Sequence, residues 1–284
     1  MTKCNVILIT GFLGSGKTTL LKNLLEIYSG GRRVAVIQNE YAGAGVDADE
    51  LKNSGREFYL LEINNGSIFC ICQFANFIEQ AGELYEKYHP EIMFIEASGM
   101  ADPIAAGSVF NNHPYFFLSG IVCVVDCANY EVIKRLVLPV NNQVRIADLV
   151  ILNKQELVDE KRYNSIIESV IEINPIAEIA STSFCNLPDF NFADMDPISC
   201  RIAGEPVKPG TSFYSEIIKN HKIMSCTEIE NFIKDIPSSV YRMKGFIRTG
   251  AQECCLLQYV NGATSLRYLN FGVSKTEIIK ISII

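Results

Sequence analysis

No uninterrupted apolar stretch in this 284-residue sequence approaches the ~20 residues that a helix needs to span a bilayer. Asp126 ends the apolar run 121–125, and the terminal run 278–284 is short, so no membrane partner is expected. A basic excess is missing too. Lys and Arg number 25 against 32 Asp and Glu, a formal charge of −7, whereas a nucleic-acid partner would call for a basic face to displace counterions from phosphates. Histidine is scarce: His89, His113 and His221 stand apart from one another, each better suited to a surface or capping position than to a metal cluster. Lys3 precedes an apolar stretch, yet no small-residue cleavage site follows, and Lys17 and Lys22 fall where a mature start would lie. The expectation is therefore a cytoplasmic protein. With no secretory signal, the ten cysteines, including the close pairs Cys70/Cys72 and Cys254/Cys255, read as reduced thiols or metal ligands rather than a disulfide framework. Internal repeats, low-complexity tracts and long charge blocks are also lacking.

What the sequence does contain begins at Gly11-Phe12-Leu13-Gly14-Ser15-Gly16-Lys17-Thr18, which fills every position of a phosphate-binding loop. Residues 5–10 (NVILIT) read as a short buried strand, and residues 19–28 (TLLKNLLEIY) place leucines at helical spacing. The loop thus joins a strand to a helix N-terminus, where backbone N–H groups wrap an anion. Its glycines let the chain approach the phosphates closely. In this reading Gly14, Ser15, Gly16, Lys17, Thr18 and Thr19 cradle the nucleotide, Lys17 reaches the β- and γ-phosphates, and the Thr18 hydroxyl goes to Mg²⁺.

Further strands are expected at residues 33–38, 58–63, 91–95, 120–125, 148–152 and 177–180, separated by helical patterns at 74–88, 141–147 and 162–171. Alternation of this kind implies an α/β fold, a P-loop NTPase with a mostly parallel sheet flanked by helices. Ligands then gather at the carboxyl ends of the strands. The texture changes after about Ser183, where residues 187–210 carry four prolines and little periodicity. The expected organisation is a nucleotide domain at 1–185, a connecting segment at 186–210 and a small α+β C-terminal domain at 211–284. Within the last, strands are expected at 211–217, 241–248, 253–260 and 264–271, with a helix at 226–236.

Asn153-Lys154-Gln155-Glu156 follows the strand 149–152, which places it at the carboxyl edge beside the base pocket. In the guanine-selective form of this motif an Asp carboxylate accepts hydrogen bonds from the base N1–H and amino group, a pair of donors that adenine lacks. Here the acid is Glu156, one methylene longer. GTP over ATP is the expectation, with Asn153, Lys154 and Glu156 at the base. The strand ending in Glu96-Ala97-Ser98-Gly99 delivers a carboxylate toward the phosphates, where Glu96 would hold Mg²⁺ through water or orient the attacking water. Asp102 and Asp126 read as helix caps or solvated carboxylates.

The order GFLGSGKTT, QNEYAGAGVD, NNGSIFC, IEASGMADP, VVDCANY, NQVRIADLVILNKQEL, INPIAEI and YRMKGF resembles the CobW-like GTPases, relatives of HypB and UreG. The resemblance covers residues 5 to about 183, with an echo at Tyr241-Arg242-Met243-Lys244-Gly245-Phe246. It implies slow GTP hydrolysis coupled to handling of a transition metal, with residues 39–47 as a first switch and 96–99 as a second. It also implies a client metalloprotein or corrinoid enzyme that receives the metal or metallocofactor. The family's metal motif is Cys-x-Cys-Cys after Asn-Gly, and here the sequence departs: Asn65-Gly66 is followed by Ser67-Ile68-Phe69-Cys70, with Cys72 beyond. An extended Cys70-Ile71-Cys72 would point both sulfurs to one side, with zinc or cobalt as the ion. Two thiolates leave a tetrahedral ion short of ligands. Glu40 would add an oxygen, or a second subunit in a homodimer another pair of thiolates; the opposing reading makes both cysteines buried filler. The adjacent Cys254 and Cys255 read as structural. Two rivals remain at this stage, a nucleotide-gated scaffold with negligible hydrolysis and a small-molecule kinase.

Overall fold

The structure, a computed structural model, describes residues 3–39, 58–63, 71–97, 113–136, 138–175, 177–192, 195, 213–260 and 263–283. Strand β1 (Cys4–Thr10) is apolar on both faces, and all but one of its residues are buried. Such a strand needs cover above and below. Val6 and Leu8 face one layer, where α2 (Ile71–Tyr88) lays down Phe77, Ala81, Leu84 and Tyr85. Ile7 and Ile9 face the other, where α1 (Lys17–Tyr28) contributes Leu20, Leu21, Leu24, Leu25 and Tyr28. This alternation sandwiches the strand between two helical layers.

Around β1 stand β2 (Val34–Asn39), β3 (Tyr59–Ile63), β4 (Ile92–Glu96), β5 (Phe116–Asp126), β6 (Leu149–Asn153) and β7 (Glu178–Ser181). They form a seven-stranded sheet in the order β3-β2-β4-β1-β5-β6-β7. Each neighbouring pair is parallel, as the alternating pattern led one to expect. Helices α3 (Tyr130–Leu136), α4 (Leu138–Ile146) and α5 (Glu160–Ile173) close a third apolar cluster against Cys123, Val125, Val150 and Leu152. Because the strands run one way, Thr10, Asn39, Glu96, Asp126, Asn153 and Ser181 all end at the same edge. That edge is where the chemistry-bearing residues collect.

A second, antiparallel sheet has the order β11-β10-β9-β12-β8, from β8 (Phe213–Asn220), β9 (Val240–Arg248), β10 (Cys254–Val260), β11 (Ala263–Leu269) and β12 (Thr276–Ile283). Helix α6 (Cys226–Lys234) starts at a capping box between Ser225 and Glu228 and packs Ile229 against Val240, Met243, Ile247, Leu257 and Ile278. The sequence suggested four strands here. The fifth, β12, lies inside the sheet between β9 and β8, and its run of adjacent isoleucines hides the alternation that marks a half-buried strand. Helix α3 was likewise not anticipated; its short, seven-residue length gives too little periodicity to see. Cys254 and Cys255 are both fully buried, in keeping with a structural role.

The segment read as connecting gives up its first part to the core. Leu187, Phe190 and Met195 pack against the α1-side cluster, and Phe192 is buried within it. Proline and acidic content masked these apolar anchors. Residues 196–212 lie outside the described residues. No helix among the described residues is long and apolar enough to cross a membrane.

Candidate functional site

The phosphate loop opens from the end of β1. Gly16 caps α1 with φ 109°, a conformation that L side chains rarely adopt, and no side chain caps the helix. The first-turn N–H groups of a helix have no intrahelical acceptor, so an end capped only by glycine suits an anion. A Cβ on Gly16 would run into Asn153 Nδ2. Space and backbone therefore both require glycine. Lys17 is buried in the first turn of α1, with its Nζ donating to Phe12 O at 3.3 Å.

Asn153, the last residue of β6, is 2% exposed and ties two loops together. Its Nδ2 donates to Ser15 O at 2.9 Å, and its Oδ1 accepts from Cys185 N at 3.0 Å. Lys154 follows in a left-handed conformation, φ 61°, which turns its side chain back over the phosphate loop. There Nζ donates to Gly14 O at 2.7 Å and to Asp126 Oδ2 at 2.8 Å. Glu156 sits on the single 3₁₀ turn Gln155–Leu157, and its Oε2 accepts from Ser183 Oγ at 2.5 Å. Asn153 and Lys154 thus meet the phosphate loop, while Glu156 meets the loop after β7.

Asp126 corrects an expectation. It is neither solvated nor a simple cap but 6% exposed, and it accepts from Ala128 N, Asn129 Nδ2 and Lys154 Nζ. Burial acts to raise its pKa; the Lys154 and Asn129 hydrogen bonds, the Lys154 charge and the Ala128 N–H outweigh that and hold the carboxyl below its ordinary value. The carboxylate is the fixed anchor of the lysine.

The loop after β7 also went unnoticed in the sequence. Phe184 and Cys185 both have positive φ, and Asn23 Nδ2 of α1 donates to both of their carbonyl oxygens. Cys185 Sγ lies against Gly16 O, and burial pushes this thiol up to about 12. Phe184 remains 71% exposed between the residues that hold Glu156 and Asn153. A Ser-Phe-Cys run carries no periodic signal; only its contacts reveal it.

At the neighbouring strand ends, Glu96 is 7% exposed. Its Oε1 accepts from Thr18 Oγ1 at 3.4 Å and its Oε2 from Gln38 Nε2 at 2.9 Å. The structure therefore joins Glu96 to the loop threonine. Glu40, Cys70 and Asp102 lie outside the described residues, as do residues 40–47 of the first expected switch and 98–99 of the second. Cys72 corrects the extended arrangement expected for Cys70-Ile71-Cys72. The backbone is helical from Ile71, because the apolar spacing of α2 (Ile71, Phe74, Phe77, Ile78) continues upstream of residue 74. Among the described residues no group of three or more His, Cys, Asp or Glu is placed to hold a metal ion.

A parallel sheet with a glycine-capped phosphate loop and a base motif at its carboxyl edge defines a P-loop nucleotide-binding protein. A family model described as CobW/HypB/UreG, nucleotide-binding domain, matches residues 5–181, and the chain belongs to this family. The zinc chaperone CobW of Sinorhizobium sp is 32% identical over 192 residues, covering 57% of this chain and 54% of the relative. A zinc-regulated GTPase metalloprotein activator of Schizosaccharomyces pombe is 30% identical over 201 residues, covering 67% and 49%. The chain spans about half the length of these curated relatives. Among solved structures, the Zn(II)-bound YjiA GTPase from E. coli superposes with TM-score 0.65 at 20% identity, covering 100% of this chain and 95% of that one. At that identity the likeness speaks for the fold.

Proposed function

We propose that this chain is a Mg²⁺-dependent GTPase that couples slow hydrolysis of GTP to GDP and phosphate with delivery of a transition metal or metallocofactor to a client protein. The observation that supports the nucleotide half is a cross-linked cluster in which Asn153, Lys154 and Glu156 are each pinned to a different neighbour. With Ser183 holding Oε2 of Glu156, the rest of the carboxylate is available to the guanine N1–H and amino group. Lys17 neutralises charge on the β- and γ-phosphates, and the backbone from Gly14 to Thr19 fixes their position. The oxygen donors of Thr18 and Glu96 fit Mg²⁺, which favours hydroxyl, carboxylate and water ligands. Thr18 and Glu96 would hold Mg²⁺ there, and the ion would supply charge neutralisation at the phosphate oxygens. Glu96, held by two donors, keeps its carboxylate aimed at that corner.

The metal half rests on family membership and on relatives named as zinc chaperones and zinc-regulated activators. Cargo ligands would be Cys70 and Cys72 with Glu40, a thiolate-rich set suited to zinc or cobalt. Two thiolates and one carboxylate leave a tetrahedral ion one ligand short, which a client metalloprotein, a corrinoid enzyme or a second copy in a homodimer would supply. The experiment measures phosphate release from GTP with and without Zn²⁺ or Co²⁺, in the wild type and in a Cys70→Ala, Cys72→Ala double variant. The expected result is a metal-dependent change in turnover that the double variant loses, together with weaker calorimetric metal binding. Equal turnover with and without metal, dimer or client would refute the coupling, and undiminished metal affinity in the double variant would refute the thiolate site.

A further inference from the structure

Gln38 and Glu96 are register partners on the adjacent parallel strands β2 and β4, so their side chains leave the sheet on the same face. Both are buried, at 6% and 7% exposure. Gln38 Nε2 donates to Glu96 Oε2, while the other carboxylate oxygen accepts from Thr18 Oγ1. A carboxylate only accepts, so the amide must turn its NH₂ toward Glu96 and its carbonyl away. That carbonyl oxygen, Gln38 Oε1, is fully buried and meets no donor among the described residues. Native proteins rarely leave a buried acceptor unmet unless a water or a ligand shell meets it.

An apolar residue at position 38 would fill the same space but leave Glu96 Oε2 without its donor. A solvated residue would need no orphan atom. The arrangement instead joins a donor locked onto the carboxylate, whose other oxygen meets the loop threonine, to a buried acceptor left unmet among the described residues.

We propose that Gln38 is a positioning residue of the Mg²⁺ corner: its NH₂ holds Glu96 in orientation, and its carbonyl accepts a hydrogen bond from a water in the ion's shell. This inference deepens the reading of Thr18 and Glu96 as the Mg²⁺ site and rests on it.

The test uses the full chain with Gln38→Met, which keeps volume and removes both polar atoms, and Gln38→Asn as a second variant that keeps the amide but shortens its reach. Three quantities are read: GDP affinity in EDTA, the rise in melting temperature that Mg²⁺ gives the GDP complex, and the Mg²⁺ concentration for half-maximal GTP hydrolysis. Gln38→Met is expected to leave GDP affinity in EDTA within about twofold, raise the half-saturating Mg²⁺ about tenfold, and shrink the Mg²⁺-dependent rise in melting temperature. In a Glu96→Gln background it should add nothing further, because Gln38 acts through Glu96. A Mg²⁺ response equal to wild type in both Gln38 variants, alongside an impaired Glu96→Gln, overturns the role of Gln38 alone. A Glu96→Gln variant with a wild-type Mg²⁺ response overturns the underlying placement of the ion.

Discussion

Asn153→Ala is expected to lower GDP affinity by at least about tenfold, and to destabilise the nucleotide-free protein as well. The side chain is buried and makes two hydrogen bonds across loops, to Ser15 O and from Cys185 N. Truncation leaves both backbone partners without their bond in a site closed to solvent. Each such loss costs about 1–3 kcal/mol, and about 1.4 kcal/mol is tenfold in affinity, so the pair amounts to about 30-fold to about four orders of magnitude if borne wholly by binding. Part of the cost falls on the empty protein, because the same bonds dock the loop after β7 onto the phosphate loop. Calorimetry with GDP and urea unfolding without nucleotide separate the two shares. A fall in stability with unchanged GDP affinity would mean that Asn153 only supports the fold.

Gly16→Ala is the second change expected to have a large effect. At φ 109° an alanine is strained by about 1–3 kcal/mol before any contact is considered. Its Cβ would also collide with Asn153 Nδ2 and press on Cys185 Sγ at 3.2 Å. The loop must then move off an atom that helps to hold it, and GDP affinity should fall by about 100-fold or more. The two substitutions are coupled. Because Asn153→Ala removes the atom struck by the new methyl, the double variant should lose clearly less affinity than the sum of the single losses. Strict additivity, measured by calorimetry on all four proteins, would rule out the collision as the cause.

The sequence reveals the parts of this molecule that local spacing encodes. The phosphate loop, the strand before it, the helix after it and the Asn153-to-Glu156 motif each sit within a dozen contiguous residues, so pattern and chemistry coincide there. What it conceals are contacts between distant residues. Asp126 looked like a solvated strand-end acid because its partner Lys154 follows another strand, brought alongside only by the β5–β6 pairing. Gln38 looked like an ordinary strand terminus until β2 and β4 set it beside Glu96. Ser183 and Cys185 belong to a loop with no period, legible only through what they hold. The strand β12 was obscured by a run of isoleucines, and Phe192 by the prolines and acids around it. For Cys72, an assumed strand geometry gave way to a helix that starts earlier than its most apolar residues suggest.

The account stands most directly on guanine recognition by a pocket whose acid is a glutamate. Calorimetric titration of the wild-type chain with GDP and with ADP, both with Mg²⁺ present, tests it. A site that hydrogen-bonds the guanine N1–H and amino group leaves its carboxylate unmet by adenine, so GDP should bind tighter by at least about 100-fold. Equal affinities for GDP and ADP would contradict it.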